Sequence, residues 1–198
     1  DGAYSQILIN GKAAFSSVNN IYGLEQIPVE LIEKVEIVKG GGSAIYGANA
    51  IAGTINVITK DPINNGFQVN ASADAIGLEK LQYALSGTGT YRSRSNRFGL
   101  VATLGYRNRL EYDANDDGYS EIPRLRNVGG NLKMFFKTGK RSKLGAEIRI
   151  ANEFRRGGDR ILLEPHEANI AEQLKSQVYG GEVDFVHYSK NKKNNKNI

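Results

Sequence analysis

None of the 198 residues is cysteine, so the chain holds neither a disulfide framework nor a thiolate metal site. Its only two histidines, His166 and His187, stand in no Ser/His/Asp order and no metal-ligand spacing. Gly40-Gly41-Gly42-Ser43 lacks the Gly-Lys-Ser/Thr ending of a phosphate cradle and reads as a structural turn. No catalytic residue is assigned, and the chain is not expected to be an enzyme. No apolar run approaches the ~20 residues of a membrane helix. No basic and apolar targeting segment opens the chain. The net charge is +5, with much of the excess in the tail Lys190-Asn191-Lys192-Lys193-Asn194-Asn195-Lys196. Charge alone would suggest a nucleic-acid binder; no zinc-finger, RRM or helix-turn-helix pattern supports it, and nucleic acid is not expected as a partner.

What is present falls into two kinds of segment. The first is compact and mixed. Pro28 suits the first turn of a helix, where its missing N–H has no intrahelical partner. Val29, Ile32 and Glu33 continue a short amphipathic helix. Residues 34–39 then alternate, Val35, Ile37 and Lys39 against Glu36 and Val38. Gly40, Gly41 and Gly42 make a turn, and residues 54–59 form a β-branched strand. Upstream, the strand Ile7-Leu8-Ile9 runs into Asn10-Gly11, a turn pair.

Past Asp61-Pro62 period-two alternation takes over, the mark of strands with two different faces. Six segments carry it: 67–75, 81–91, 97–107, 132–137, 144–155 and 179–185. Phe98, Leu100, Ala102, Leu104 and Tyr106 oppose Arg97, Gly99, Val101, Thr103, Gly105 and Arg107. Leu144, Ala146, Ile148 and Ile150 oppose Gly145, Glu147, Arg149 and Ala151. A soluble antiparallel sheet also alternates. Three features favour a membrane barrel. Most strands have the ~9–11 residues needed to cross a bilayer at a tilt. Aromatics bracket the apolar faces, Tyr83 with Tyr91 and Phe98 with Tyr106. Short connections (93–96, 139–142) fall at one end and long ones (111–127, 156–177) at the other.

The first unit resembles the C-terminal half of the plug domain of TonB-dependent outer-membrane receptors. The matching residues are Ile27-Pro28, Val35-Glu36-Ile37-Val38, Gly40 with Ser43-Ala44-Ile45-Tyr46-Gly47, and the run from Ala50 through Gly53-Thr54-Ile55-Asn56-Val57-Ile58-Thr59 to Lys60. The family usually ends its upstream turn in Asp-Gly; here Asn10 stands in place of that Asp. The resemblance implies an α+β plug fragment (1–60), a linker (61–66) and the first six or so strands (67–198) of an antiparallel transmembrane β-barrel. The whole barrel would have about 22 strands around an internal plug, so this piece is expected to be part of a longer receptor that begins after its targeting segment. The implied function is active uptake of a scarce nutrient (cobalamin, haem or an iron-siderophore) across the outer membrane, without bond chemistry. Implied partners are the TonB energy-coupling protein, outer-membrane lipid, the small-molecule nutrient and a surface lipoprotein. The other reading is a soluble β-rich module that binds carbohydrate or protein.

Two candidate binding regions follow. In the resembled family the loop after the Asn10-Gly11 turn touches the substrate, which here implies Phe15, Ser16, Ser17, Asn19, Asn20 and Tyr22. No cofactor is required. A calcium ion is a candidate in the loop 111–121: Asp113, Asn115, Asp117 and Gly118 match the opening of a calcium loop. Arg124 holds the position where a bidentate Glu would close it, so carboxylates such as Glu111, Glu121 or those of a neighbouring loop would have to complete the set. Residues 115–119 are also similar to a calcium-binding loop of cobalamin receptors. Arg97, Arg107, Lys133, Glu147, Arg149, Glu153 and Glu182 are expected to face inward and meet the plug.

Overall fold

Residues 5–13, 32–40, 50, 53–61 and 64–189 are described by the computed structural model. They form two sheets. The first contains β1 (Ser5–Ile9), β2 (Lys12–Ala13), β3 (Ile32–Lys39) and β4 (Gly53–Thr59), in the order β2-β1-β4-β3. β1 pairs with β4 in parallel, while β2 and β3 pair antiparallel. Ile7, Leu8, Ile9 and Val57 make its core.

Ile32 and Glu33, expected to end a short helix, are the first residues of β3. The alternating run extends back past Lys34, with a register shift between Ile32 and Lys34. Tertiary pairing with β4 thus overrides the local helical pattern. The start of that expected helix at Ile27-Pro28, the turn at 43–47 and the tail from Lys190 onward lie outside the described residues.

The second sheet has six antiparallel strands in sequence order: β5 (Gly66–Ile76), β6 (Lys80–Arg92), β7 (Phe98–Arg109), β8 (Tyr119–Phe136), β9 (Ser142–Asp159) and β10 (Ala171–His187). It is open between β5 and β10. One face is apolar and outward: Leu104, Ile148 and Phe185 are 60%, 54% and 63% exposed. A water-soluble body would bury such side chains; hydrocarbon solvates them. The opposite face is polar and covered, with Thr88, Thr103, Asn131 and Glu147 buried.

The long connections are shorter than the alternation predicted. β8 starts at Tyr119, inside the expected loop 111–127, and β9 and β10 reach Asp159 and Ala171, inside the expected loop 156–177. Eighteen residues in β8 and in β9 at ~3.3 Å and a ~45° tilt rise roughly 42 Å, well above a ~25 Å apolar band. Above that band both faces meet water, so the period-two signal fades while the ladder continues. Two irregularities hide it further. Pro123 sits where the β8–β9 register breaks, between Ser120 and Arg124, the kind of place a strand tolerates proline. Gly158 has φ +106°, and a Cβ there would meet the Ile170 carbonyl oxygen at 2.0 Å.

Candidate functional site

The plug-like sheet is fastened to the polar face of the large sheet at the turn joining β1 and β2. Asn10 (φ 52°) and Gly11 (φ 78°) take the left-handed angles of a tight hairpin. The Asn10 backbone N–H donates to the Val57 carbonyl (2.9 Å), and Gly11 N–H donates to Asn56 Oδ1 (2.8 Å). Asn10 Oδ1 accepts from the Thr59 backbone N–H (3.0 Å). Its Nδ2 donates to Thr59 Oγ1 (2.9 Å) and reaches Glu147 Oε2 of the wall (3.4 Å). An aspartate would have the turn angles but no donor, and would set a second carboxylate against Glu147. This explains why Asn stands here.

Around that turn a charged network joins the two sheets. Lys12 Nζ pairs with Glu182 Oε1 (2.5 Å). Lys133 Nζ pairs with Asp61 Oδ1 (2.5 Å) and donates to Thr59 Oγ1 (3.3 Å). Glu147, 5% exposed, accepts from Asn131 Nδ2 (2.7 Å) and Arg149 Nη1 (3.2 Å). Arg149 also reaches Glu182 (3.9 Å). A cavity of about 270 Å³ opens between the sheets here, lined by Glu33, Asp61, Lys133, Lys143, Glu147 and Asp184. The joint is charged and encloses open volume, and its more exposed pairs, Lys12–Glu182 and Lys133–Asp61, each contribute little.

Of the seven charged residues expected to meet the plug, Lys133, Glu147 and Glu182 do so directly, and Arg149 holds two of them. Glu153 is buried but bonds within the wall, accepting from Asn127 Nδ2 (3.2 Å) and Arg155 Nε (3.3 Å). Arg97 is a correction. It precedes β7 in the short turn, and its guanidinium lies 5.8 Å from the Phe136 ring. Phe136 is on the outward face, so Arg97 sits at the membrane edge rather than inside. Lys12 and Asp61 were not singled out from sequence; Lys12 opens the two-residue strand β2 and Asp61 lies in a short connection, and neither segment is long enough for periodicity to mark orientation. Phe15, Ser16, Ser17, Asn19, Asn20 and Tyr22 lie outside the described residues.

The acidic loop between β7 and β8 is fixed at its base by paired backbone bonds between Tyr112 and Ile122 (3.0 and 3.1 Å). Asp113 Oδ2 accepts from Gly118 N–H (2.7 Å), Asp117 Oδ1 from Tyr119 N–H (2.8 Å), and Glu121 Oε2 from Ala114 N–H (2.8 Å). Carboxylate oxygens of Asp113, Asp117 and Glu121 lie within 4.8 Å of one another. Asn115 instead spends its amide on Asp117 Oδ2 (3.1 Å). Glu111 is not in the cluster; Arg124 holds it with two bonds of 2.7 and 3.0 Å.

Burial pushes the Glu111 carboxyl up, but the Arg124 hydrogen bond and the charges of Arg124 and Lys80 outweigh it, so its pKa lies below the ordinary value. A depressed carboxylate pKa contributes stability above the unfolded value of about 4.3 and loses it as pH falls through the folded value. Below about pH 4.3, amide exchange at Tyr112 and Ile122 is therefore expected to accelerate. Glu111→Gln should exchange faster at neutral pH and lose this acid dependence.

Residues 1–54 match the family described as the TonB-dependent receptor plug domain. The vitamin B12 transporter BtuB of Vibrio vulnificus is 50% identical over 110 residues, which are 55% of this chain and 17% of that protein. BtuB of Photobacterium profundum is 29% identical over 130 residues, 64% of this chain and 21% of that protein. The chain thus spans about a fifth of the length of these relatives. Among solved structures, the ferric enterobactin receptor PfeA in complex with BCV-L6 has a TM-score of 0.64 at 15% identity, over 78% of this chain and 26% of that one. The siderophore receptor PirA from Pseudomonas aeruginosa has a TM-score of 0.58 at 18% identity, over 77% of this chain and 26% of that one. At these identities the likeness is one of fold: a plug segment followed by antiparallel strands.

Proposed function

This chain belongs to the TonB-dependent receptors, whose homologues are outer-membrane proteins, and on that premise we propose that the whole protein is an active importer of a scarce nutrient, cobalamin rather than haem or an iron-siderophore. One observation carries the reading: a plug segment is held by a charged joint around a cavity, against the polar side of a sheet whose other side is apolar. Such a joint closes a pore yet yields to force. Nutrient bound on the outer side shifts the plug equilibrium only through its differential affinity for the two plug states. The TonB energy-coupling protein then displaces the plug. Nothing in this cycle needs a catalytic group. The domain division is a plug part up to residue 60, a linker at 61–66 and barrel strands from 67 onward, in a barrel of about 22 strands. The loop residues 15–22 are the proposed nutrient contact, and a surface lipoprotein is a candidate partner on the outer side.

Cobalamin is preferred because both relatives named above are vitamin B12 transporters and because residues 115–119 resemble a calcium-binding loop of cobalamin receptors. Deleting the gene should abolish growth on limiting cobalamin, with rescue by the whole gene and not by a copy lacking residues 15–22. Undiminished uptake of labelled cobalamin by the deletion strain would overturn the choice.

Calcium is proposed to bind at Asp113, Asp117 and Glu121, with Asn115 turning its carbonyl toward the ion. Three exposed carboxylates of this kind suit an affinity of roughly 10⁻⁴–10⁻³ M, the range of extracellular sites. Titration calorimetry should find one such site, and Asp117→Asn should weaken it by about tenfold or more. Identical heats for the two proteins would remove calcium from the loop.

A further inference from the structure

The outward face of the large sheet changes character above its upper aromatic residues. The Tyr83 and Tyr106 rings lie 5.9 Å apart. In the row above Tyr106, the register aligns Asn108, Arg126, Phe154 and Lys175 across β7 to β10. These four share the outward parity of Leu104, Ile148 and Val183. Arg126 and Lys175 are exposed, and Lys175 Nζ lies 6.0 Å from the Phe154 ring. Among the described residues Arg126 makes no ion pair; in the row above it Arg124 is taken up by Glu111, and neither its own row nor the row below carries a carboxylate on the outward face. Glu153 has the opposite parity and bonds inside the wall.

Directly below Arg126 is an apolar groove of about 560 Å³, floored by Gly87, Gly89 and Ala102 and walled by Phe67, Leu104 and Tyr106. Val128 closes its upper end, two residues and ~7 Å along the strand from Arg126. Conformation does not explain the glycines of the floor. Neither has a positive φ, and a Cβ at Gly87 or Gly89 would only touch the Phe67 ring at 3.8–4.0 Å. What their missing side chains provide is the groove.

We propose that this face seats one phosphate-bearing membrane lipid of the leaflet at the long-loop end. Its phosphate lies on Arg126, Lys175 is the second cation, and an acyl chain lies in the groove. Arg offers a phosphate paired donors, and cations close to an anionic lipid surface are attracted to it over about a Debye length. Asn108 in the same row, and Asn152 and Gln177 in the row below it, supply neutral donors for the rest of a headgroup. The inference rests on the barrel reading but not on the nutrient.

The test uses the full-length receptor in mild detergent with diphosphorylated lipid A as probe, read by native mass spectrometry. One lipid should be retained. The pair Arg126→Gln/Lys175→Gln should weaken retention by about tenfold or more, and Gly89→Leu, which fills the groove, should weaken it several-fold. Phosphatidylcholine should not be retained, and inorganic phosphate should not displace the lipid. Equal retention by the double variant, equal retention of phosphatidylcholine, or displacement by phosphate alone would each overturn the proposal. Nutrient binding measured on the same samples should be the same in all variants. Lipid retention without nutrient binding in the parent protein would count against the uptake reading and leave the lipid site standing.

Discussion

Cross-linking residue 12 to residue 182 is expected to reduce uptake to background. Lys12 opens β2, just past the hairpin turn of the plug segment, Glu182 lies in β10 of the wall, and their charged ends meet at 2.5 Å. Lys12→Cys with Glu182→Cys, joined by a short cleavable thiol-reactive linker, would fix the turn to the wall covalently. These 198 residues contain no cysteine, so within them the two introduced thiols are the only reactive ones. Before cross-linking the double variant should import almost normally, because a pair this exposed contributes only about 0–1 kcal/mol. After cross-linking, labelled nutrient should still bind but not enter, and cleaving the linker should restore entry. Full import with a quantitative cross-link would mean that the plug need not part from β10, which would sink the transport cycle proposed above.

The second large effect is expected at Glu147. Its carboxylate accepts from Asn131 (2.7 Å), Arg149 (3.2 Å) and Asn10 (3.4 Å), and it is almost completely buried. Glu147→Ala removes the acceptor from a buried amide and breaks the only contact of the Asn10 side chain to the wall among the described residues. Each buried donor left without a partner costs about 1–3 kcal/mol, so a loss of roughly 2–4 kcal/mol is expected. Glu147→Gln keeps the volume and one acceptor oxygen and should cost less. Urea unfolding of the purified receptor would measure both. Limited proteolysis within residues 10–61 should accelerate in the Ala variant before the wall is affected. Equal stability of the Ala variant and the parent would show that the network is incidental.

Much of the wall was legible in the sequence because a single rule governs it. Where one face meets hydrocarbon and the other a polar interior, side chains must alternate, and the middles of all six strands follow from that rule. It fails above the membrane, where β8 to β10 continue with water on both sides and Pro123 and Gly158 interrupt the pattern. The plug segment was legible through its turn and its β-branched strand, but Ile32 and Glu33 carry no local mark that pairing with β4 will extend them. The joint between plug and wall was not legible. Asn10 with Glu147, Lys12 with Glu182 and Asp61 with Lys133 join residues far apart in sequence, and each looks alone like an ordinary polar surface residue. In the acidic loop the oxygen-rich spacing was visible, whereas the exchange of Glu111 for Glu121 depends on Arg124 capturing the former.

The parallel pairing of β1 with β4 has a mechanical consequence. A pull applied on the N-terminal side of β1 is resisted where β4 leaves the small sheet for the wall. In a parallel pair those two points lie at opposite ends of the ladder, so the load acts in shear on every bond between Ser5–Ile9 and its partners at once. The antiparallel β3–β4 edge, loaded from one end, can instead peel bond by bond. Traction on this plug should therefore meet its stiffest resistance at the β1–β4 ribbon, and once that ribbon yields the load reaches the β3–β4 edge, which gives way at lower force.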